Sequence, residues 1–157
     1  MTGKIQAELI QYNQLQKKLE DFYSSFAKIC GLSDSVFWIL YSVIDRQEPY
    51  TQTELCNMWS FHKQTINTAL KNLEVDGIIR FEPLEQNRKT KQIFLTDKGM
   101  AFAQRTVIPF IETEKRAFGA FEEEERKELL RLTQKHLDLL HTELNTQLSL
   151  SSEDIWP

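Results

Sequence analysis

The sequence predicts a mostly α-helical protein with one small β-hairpin. Glycine and proline together account for nine of the 157 residues, so few breaks interrupt the helices. Apolar residues recur at steps of three and four along most of the chain, which is the period of one helix face. The pattern changes to alternation at Ile78–Glu82 and Lys91–Leu95, which is typical of strands.

The composition is that of a globular protein, with 41% apolar and 27% charged residues. No run of eighteen apolar residues occurs, so we expect no membrane span and no membrane partner. The N-terminal residues lack the pattern of a signal peptide, which predicts a cytoplasmic protein. Cys30 and Cys56 form no CxxC pair, so neither a disulfide scaffold nor a structural metal site is expected.

Two helices are predicted in the first third of the chain. The first runs from about Ile5 to Cys30 and ends at Gly31, which suits the left-handed position after a helix. The second is capped by Ser33, ends at Glu48-Pro49 and is apolar on more than one side, so it should be buried. The first helix carries one apolar stripe, formed by Ile5, Leu9, Tyr12, Leu15, Leu19, Phe22, Phe26 and Ile29.

A helix-turn-helix outline follows. Thr51 to Glu54 reads as a capping box, in which each residue accepts a hydrogen bond from the other's backbone amide. The apolar spacing of this short helix breaks at Ser60–His62 and resumes in a longer helix from about Lys63 to Asp76, which Gly77 ends. Helical hairpins of other purposes share this outline.

The hairpin after Gly77 should have a charged loop at its tip, from Pro83 to Thr90. Its two predicted strands flank this loop, and Arg88 is the residue expected at the tip.

Two further helices complete the prediction. Thr96-Asp97 should cap a helix from Lys98 to about Phe118, with a bend near Pro109, where an amide donor is missing. After a break at Gly119, a last helix should run from about Glu122 to Leu148. Residues 149–157 should form a flexible tail. The last helix also carries an apolar stripe, formed by Leu129, Leu130, Leu137, Leu140, Leu144 and Leu148.

The charge is distributed unevenly. The net charge of −4 and the pI of about 5.5 argue against a nucleic-acid partner when taken as averages. Between Ser60 and Arg105, however, the sequence has eight basic and five acidic residues. The net charge of this segment is therefore +3, and that of the rest of the chain is −7. Much of that acid lies in Glu122–Glu125, so a basic face elsewhere is compatible with the average.

The order of helix, helix-turn-helix and hairpin is that of a winged helix-turn-helix domain, whose second helix fits the major groove of DNA. The helix from Lys63 holds no acid before Glu74, whereas an ordinary solvated face is commonly richer in glutamate. Asn and Gln can pair with adenine, and lysines neutralise phosphates. The candidate contacts to double-stranded DNA are Lys63, Gln64, Thr65, Asn67, Thr68 and Lys71 on the helix, and Arg88, Lys89 and Lys91 on the hairpin.

At this point the sequence resembles the MarR family of transcriptional regulators. The resemblance rests on Thr51 to Ile79, in particular Thr-x-x-Glu-Leu and the later Leu-Glu-x-x-Gly-Ile-Ile, on Arg88-Lys89, and on Leu-Thr-Asp-Lys-Gly at positions 95–99. It implies a homodimer that binds a palindromic site, commonly as a repressor released by a ligand or an oxidant. Three positions depart from the family: Asn87 where Asp is frequent, Thr68 where Arg is frequent, and Ser60 where Gly is frequent.

Dimerisation also has a reason independent of the resemblance. The first and last helices are each about 26 residues long and carry an apolar stripe, and one small domain cannot cover both stripes. Pairing with a second copy of the chain buries them. An intramolecular helical pair is the alternative. The predicted organisation is therefore an N-terminal dimerisation helix (1–31), a winged helix-turn-helix domain (32–99), C-terminal dimerisation helices (100–148) and a tail (149–157).

Two other features allow two interpretations each, and the first is Cys30, which is either a redox sensor or a small buried apolar residue. His62 is a candidate phosphate contact. A group of aromatic residues lines an effector pocket or forms plain core: Phe22, Tyr23, Phe26, Phe37, Trp38 and Tyr41. The spacing of the histidines disfavours zinc, and no GxSxG, P-loop or GxGxxG motif occurs, so neither an enzyme nor a cofactor is expected. The rival to a DNA-binding regulator is a winged-helix module that binds a protein instead.

Overall fold

The computed structural model describes residues 2–45, 49–84 and 87–148, and it confirms the predicted fold class. The predicted tail, residues 149–157, lies outside the described residues. The chain divides into two compact units, residues 1–107 and 108–157. In chain order the elements are α1 (Thr2–Ile29), α2 (Asp34–Asp45), β1 (Tyr50–Thr51), α3 (Gln52–Trp59), α4 (Lys63–Val75), β2 (Ile79–Leu84), β3 (Asn87–Leu95), α5 (Asp97–Arg105), α6 (Val107–Gly119) and α7 (Glu123–Leu148).

The end of α1 and the start of α2 follow the predicted capping residues, whereas the predicted end of α2 at Glu48-Pro49 includes Glu48, which lies outside the described residues. Gly31 has φ of +71°, and its amide donates to the Lys28 carbonyl (2.9 Å), while the Leu32 amide donates to the Ala27 carbonyl (2.9 Å). These two bonds form a Schellman motif, which requires a left-handed residue at the Gly31 position. The Ser33 hydroxyl accepts from the Val36 amide (3.4 Å), as expected for the residue that caps α2.

The helix-turn-helix is confirmed in α3 and α4. The Thr51 hydroxyl accepts from the Glu54 amide (3.3 Å), and the Glu54 carboxylate accepts from the Thr51 amide (2.7 Å), so both bonds of the capping box are present. Between the two helices, Ser60 adopts a left-handed conformation with φ of 52°. A tight turn is therefore kept with serine where family members frequently have glycine, although this conformation is less favourable for a residue with a Cβ.

The core of the first unit contains buried apolar side chains of α4 and of α2, α3, β2 and β3. Leu55 of α3 and Ile66 of α4 have no exposed surface, and Leu70 is 1% exposed. The other fully buried large side chains among the described residues of this unit are Phe37, Ile39 and Leu40 of α2, Ile79 of β2, Ile93 of β3, and Val107 at the start of α6. This burial fixes which face of α4 points inward.

The sheet is antiparallel with strand order β1-β3-β2, and it corrects the predicted hairpin. Pro83 pairs with Lys91 and Leu84 pairs with Asn87, with a register shift between these two pairs. The predicted loop from Pro83 to Thr90 is therefore largely strand, and only residues 85 and 86 separate β2 from β3. The outer part of a two-stranded hairpin has no buried face, so its sequence lacks the alternation that marks a strand. The two-residue strand β1 is also too short to show a pattern.

The prediction of a single helix from Lys98 to Phe118 is wrong, because the structure has two helices there, α5 and α6, separated at Thr106. Proline lacks an amide hydrogen, and its ring clashes with the carbonyl four residues earlier. For Pro109 that carbonyl belongs to Arg105, the last residue of α5. Pro109 therefore ends α5 and lies in the first turn of α6, where its missing hydrogen bond carries no penalty.

The second unit consists mainly of α7, and the apolar stripe of this helix is exposed to solvent. Its first turn holds three glutamates, as the positive end of a helix dipole favours. The predicted stripe residues from Leu129 to Leu144 are 36–62% exposed, and the side chain of Leu148 lies outside the described part. On α1, Ile5, Leu9, Leu15, Leu19, Phe22 and Ile29 are 42–82% exposed. Both long helices thus carry exposed apolar stripes in the single chain.

Within the described ranges, no single helix is long and apolar enough to cross a membrane. One pair, Gly3–Ile29 with Asp34–Ile44, meets that test jointly but is bent by 87°.

Candidate nucleic-acid interface

Helix α4 presents the predicted DNA contacts to solvent. Ile66, Ala69, Leu70 and Leu73 are at most 5% exposed and form its inner face. The six predicted contact residues of this helix, Lys63, Gln64, Thr65, Asn67, Thr68 and Lys71, are all exposed. A period of 3.6 residues therefore separates the two faces as the sequence predicted.

The wing-side cleft, a cavity of about 430 Å³, lies on one flank of α4. It contains four predicted contact residues: Lys63, Asn67 and Lys71 from the helix and Lys91 from the hairpin. Three lysines face one acid, Glu74, so the cleft is basic although the whole chain is acidic. The remaining lining residues are Thr51, Gln52 and Thr53 at the start of α3, Leu70 of α4, and Phe81 and Thr90 of the hairpin.

The α2-side cleft, a cavity of about 490 Å³, lies on the opposite flank and contains Gln64, Thr65 and Thr68. The Thr68 hydroxyl donates to the Gln64 carbonyl (3.0 Å), so its hydrogen is used within the helix. The Thr68 methyl group is suited to contact a thymine methyl. The cleft is completed by Ser33, Ser35 and Val36 near the start of α2, and by His62, Ala69 and Asn72.

The hairpin carries its three predicted contact residues on β3. Arg88 and Lys89 are the second and third residues of β3, and their side chains lie outside the described part. The Lys91 ammonium lies 5.7 Å from the centre of the Phe81 ring, a distance at which a cation and a ring attract each other. Lys91 and Phe81 both line the wing-side cleft.

Arg80, in contrast, is bound within the hairpin. Its Nε donates to Glu82 (2.8 Å), its Nη1 donates to the Leu95 carbonyl (2.8 Å), and its guanidinium lies 5.1 Å from the Phe94 ring centre. This arginine braces the two strands and its charge is paired with Glu82, so sequence charge alone overstates the unpaired positive charge of the hairpin.

The segment Leu95–Gly99, part of the family resemblance, ties the hairpin to the end of α4. The Thr96 hydroxyl lies 2.6 Å from the Gly77 carbonyl, to which it donates, and it accepts from the Gly99 amide (2.9 Å). Lys98 donates to the Asp76 carbonyl (2.6 Å) at the end of α4. These bonds fix the exit of the hairpin relative to α4.

Gly99 allows this close approach. A Cβ at position 99 would lie 1.9 Å from the carbonyl oxygen of Ile78, which is part of the backbone. Only glycine fits without a shift of the chain, so the motif needs glycine for space rather than for its conformational freedom.

Gln52 is a contact that sequence reasoning missed. Its Nε2 donates a hydrogen bond to Oδ1 of Asn67, and both residues line the wing-side cleft. The two residues are fifteen positions apart and belong to different helices, so no local pattern in the sequence relates them.

The two cysteines are partly buried. Burial raises the pKa of the Cys30 thiol above its ordinary value. Burial also raises the pKa of the Cys56 thiol, against a smaller opposing effect of Lys63. A raised pKa leaves less thiolate at neutral pH and so supports the structural interpretation of Cys30.

The predicted aromatic group forms a continuous cluster between α1 and α2 and extends to α3. Trp38 lies 5.0 Å from Tyr23, 5.2 Å from Phe37 and 4.4 Å from Trp59, measured between ring centres. Phe37 is fully buried and therefore core. Tyr23 and Trp38 line the α1–α2 cavity, about 430 Å³ in volume, together with Leu19, Phe61 and the charged Lys17 and Asp34, among others.

Known proteins resemble this chain in sequence. The model of the MarR family matches residues 31–89. The HTH-type transcriptional regulator PecS of Dickeya dadantii is 30% identical over 128 residues, which cover 78% of this chain and 75% of PecS. The HTH-type transcriptional regulator PapX of Escherichia coli is 28% identical over 96 residues, which cover 60% of this chain and 58% of PapX.

Solved structures resemble it in fold. NMB1585, a MarR family regulator from Neisseria meningitidis, matches with a TM-score of 0.74 at 21% identity, covering 88% of this chain and 97% of that one. Sco3205, a MarR family regulator from Streptomyces coelicolor solved in complex with DNA, matches with a TM-score of 0.70 at 20% identity, covering 90% of each chain. The match to the family model and the 30% identity to PecS show that the chain belongs to the MarR family of DNA-binding transcriptional regulators.

Proposed function

We propose that the protein is a homodimeric repressor that binds a palindromic operator and releases it when a small molecule binds. The observation that carries DNA binding is the exposed polar face of α4, flanked by the basic wing-side cleft. A helix of this size fits the major groove, and a neighbouring hairpin reaches the backbone or the minor groove.

The candidate residues divide into two roles. Gln64, Asn67 and Thr68 present amide and methyl groups that suit base edges, with Thr65 beside them. Lys63, Lys71, Lys89 and Lys91 suit phosphates, and Arg88 suits either a phosphate or a narrow minor groove. Thr68 replaces the arginine that is frequent in the family, so the operator should differ from those of relatives.

The exposed apolar stripes support a homodimer. Helix α1 has 28 residues and is about 42 Å long at ~1.5 Å per residue. Its stripe and that of α7 are too large to remain in water in a protein that stays dispersed. We place the dimerisation helices at residues 1–31 and 100–148 and the DNA-binding domain at 32–99. A two-fold symmetric dimer presents two α4 helices, which favours a palindromic operator.

The α1–α2 cavity is the proposed effector site. Its volume of about 430 Å³ lies in the usual range for small ligands. Trp38 at its wall stacks on Trp59, and the Trp59 indole donates to the Ser42 hydroxyl (2.6 Å). A ligand that displaces Trp38 therefore acts on α3, which contacts α4. The raised pKa values of both cysteines favour a ligand over an oxidant.

The test is a binding assay with the DNA upstream of the protein's own coding region, since regulators of this type commonly act on their own promoters. We expect binding to this DNA in the cytoplasmic salt range to exceed binding to a scrambled duplex by at least about 1,000-fold. Equal binding to both duplexes would contradict sequence-specific regulation. No binding to either, together with capture of a protein by the acidic start of α7, would favour the protein-binding alternative.

A further inference from the structure

Gln52, which is not among the predicted DNA contacts, holds the proposed base-reading residue Asn67. Gln52 is the first residue of α3 and is half-buried, whereas Asn67 is exposed on α4. The Nε2 of Gln52 donates to the Oδ1 of Asn67. Within the described part of the chain, the Asn67 side chain makes no other hydrogen bond with a protein group.

The chemistry of the two amides makes this hydrogen bond directional. An asparagine amide carries an acceptor on one branch and two donors on the other. Because Gln52 donates, the Oδ1 branch of Asn67 is drawn towards α3, and the Nδ2 branch points the opposite way. A bidentate pair with adenine needs both Oδ1 and Nδ2 at the base edge. The bond to Gln52 opposes that arrangement.

We propose that Gln52 is a positioning residue that decides which base Asn67 reads. With Oδ1 held by Gln52, Asn67 offers donors to the major groove and selects a base edge made of acceptors. Guanine presents two adjacent acceptors, N7 and O6, while adenine presents one acceptor beside a donor. The inference rests on the proposed function and adds a preference for guanine over adenine opposite Asn67.

The deciding experiment reverses the hydrogen bond. In Gln52→Glu the carboxylate only accepts, so the Asn67 amide must turn its Nδ2 towards position 52 and leave Oδ1 for the base. A glutamate in the first turn of α3 also suits the helix dipole, so the variant should fold. The operator is first selected from randomised duplexes by the parent protein. The position read by Asn67 is the one at which Asn67→Ala loses preference.

Binding is then measured to four duplexes that differ only at that position. We expect the parent to prefer guanine about tenfold over adenine, Gln52→Glu to lose this preference or reverse it towards bases with an exocyclic amino group, and Gln52→Ala to fall between them. The added charge weakens binding to all four duplexes alike, so the ratio is the measure. Thr53→Glu places the same charge at the next residue and should leave the ratio unchanged.

A second background separates positioning from direct contact. In Asn67→Ala, the change Gln52→Glu should no longer alter the base ratio, because its effect passes through Asn67. If Gln52→Glu lowered affinity for all four duplexes equally and kept the parent's ratio, Gln52 would not decide which base Asn67 reads, and the inference would be wrong. A parent that selects adenine at this position would overturn it too. A parent that selects no sequence would instead overturn the proposed function itself.

Discussion

The surroundings of α4 and the two long helices differ in how their apolar residues are used. Around α4, Phe37 of α2, Leu55 of α3 and Ile93 of β3 are fully buried within the single chain. On α1 and α7, side chains of the same types are largely exposed. The helices of both regions show helical periodicity in the sequence. Periodicity in the sequence therefore identifies an apolar face of a helix, while only the packing of the folded chain shows whether that face is buried.

The largest expected effect tests the packed region at Gly99. Gly99→Ala forces a Cβ against the Ile78 backbone carbonyl, so we expect the free energy of unfolding to fall by about 3 kcal/mol or more. Chemical denaturation measures this loss. Gly119→Ala is the matched control, because no atom lies within 4 Å of a Cβ added there, and it should change stability by less than about 0.5 kcal/mol. Equal effects of the two substitutions would contradict the close approach.

The second prediction tests the exposed stripe of α7. The double variant Leu137→Glu with Leu140→Glu should raise the dimer dissociation constant at least about 100-fold, because it places two charges in an apolar interface. Light scattering against concentration measures the change, and the parent should weigh about twice 18.5 kDa.

Thr142→Glu with Thr146→Glu is the control for this variant. These residues lie on the opposite face of α7, and the change adds the same charge. We expect it to leave the dimer intact. A parent protein that is a dispersed monomer would refute the assignment of both long helices to dimerisation.

The third prediction separates base reading from charge on α4. Asn67→Ala should lose about 1–3 kcal/mol of binding to the operator and little to random DNA, whereas Lys71→Ala should weaken both alike. Anisotropy titrations with the two duplexes give both values. If Asn67→Ala weakened the two equally, Asn67 would not read sequence.

The smallest expected effect tests the hairpin, and it is measured as the dependence of the DNA-binding constant K on salt concentration. If about six basic side chains per dimer contact phosphates, log K should fall with log salt at a slope near −5. Arg88→Ala removes one contact per protomer, so the slope should become shallower by roughly 2. If the guanidinium enters the minor groove instead, the loss should depend on A·T content.

Arg80→Ala provides the control for the hairpin, since Arg80 is bound to Glu82 and to the Leu95 carbonyl. It removes the same charge, and we expect the slope to stay unchanged. An Arg88→Ala variant with the affinity and slope of the parent would show that the hairpin does not contact DNA.

The sequence by itself determined the elements whose signals are local. Gly31 and Gly77 end their helices, the Thr51–Glu54 box starts α3, and the period of α4 separates its inner and outer faces. Each of these depends on residues within a few positions of one another, because helix caps and helix faces are made by near neighbours in the chain. Pro109 was also a correct local signal, but its ring acts on the carbonyl four residues earlier, so the break falls at Thr106.

Only the tertiary structure decided the features that join distant residues. The outer half of the hairpin forms by cross-strand pairing, the Leu95–Gly99 segment binds the end of α4, and Gln52 of α3 holds Asn67 of α4. Arg80 and Lys91 carry equal charge in the sequence, yet Arg80 is bound to Glu82 and to the Leu95 carbonyl, whereas Lys91 lines the wing-side cleft. The reason is physical: a hydrogen bond or an ion pair depends on the distance between atoms in space, and the order of residues along the chain fixes that distance only for close neighbours.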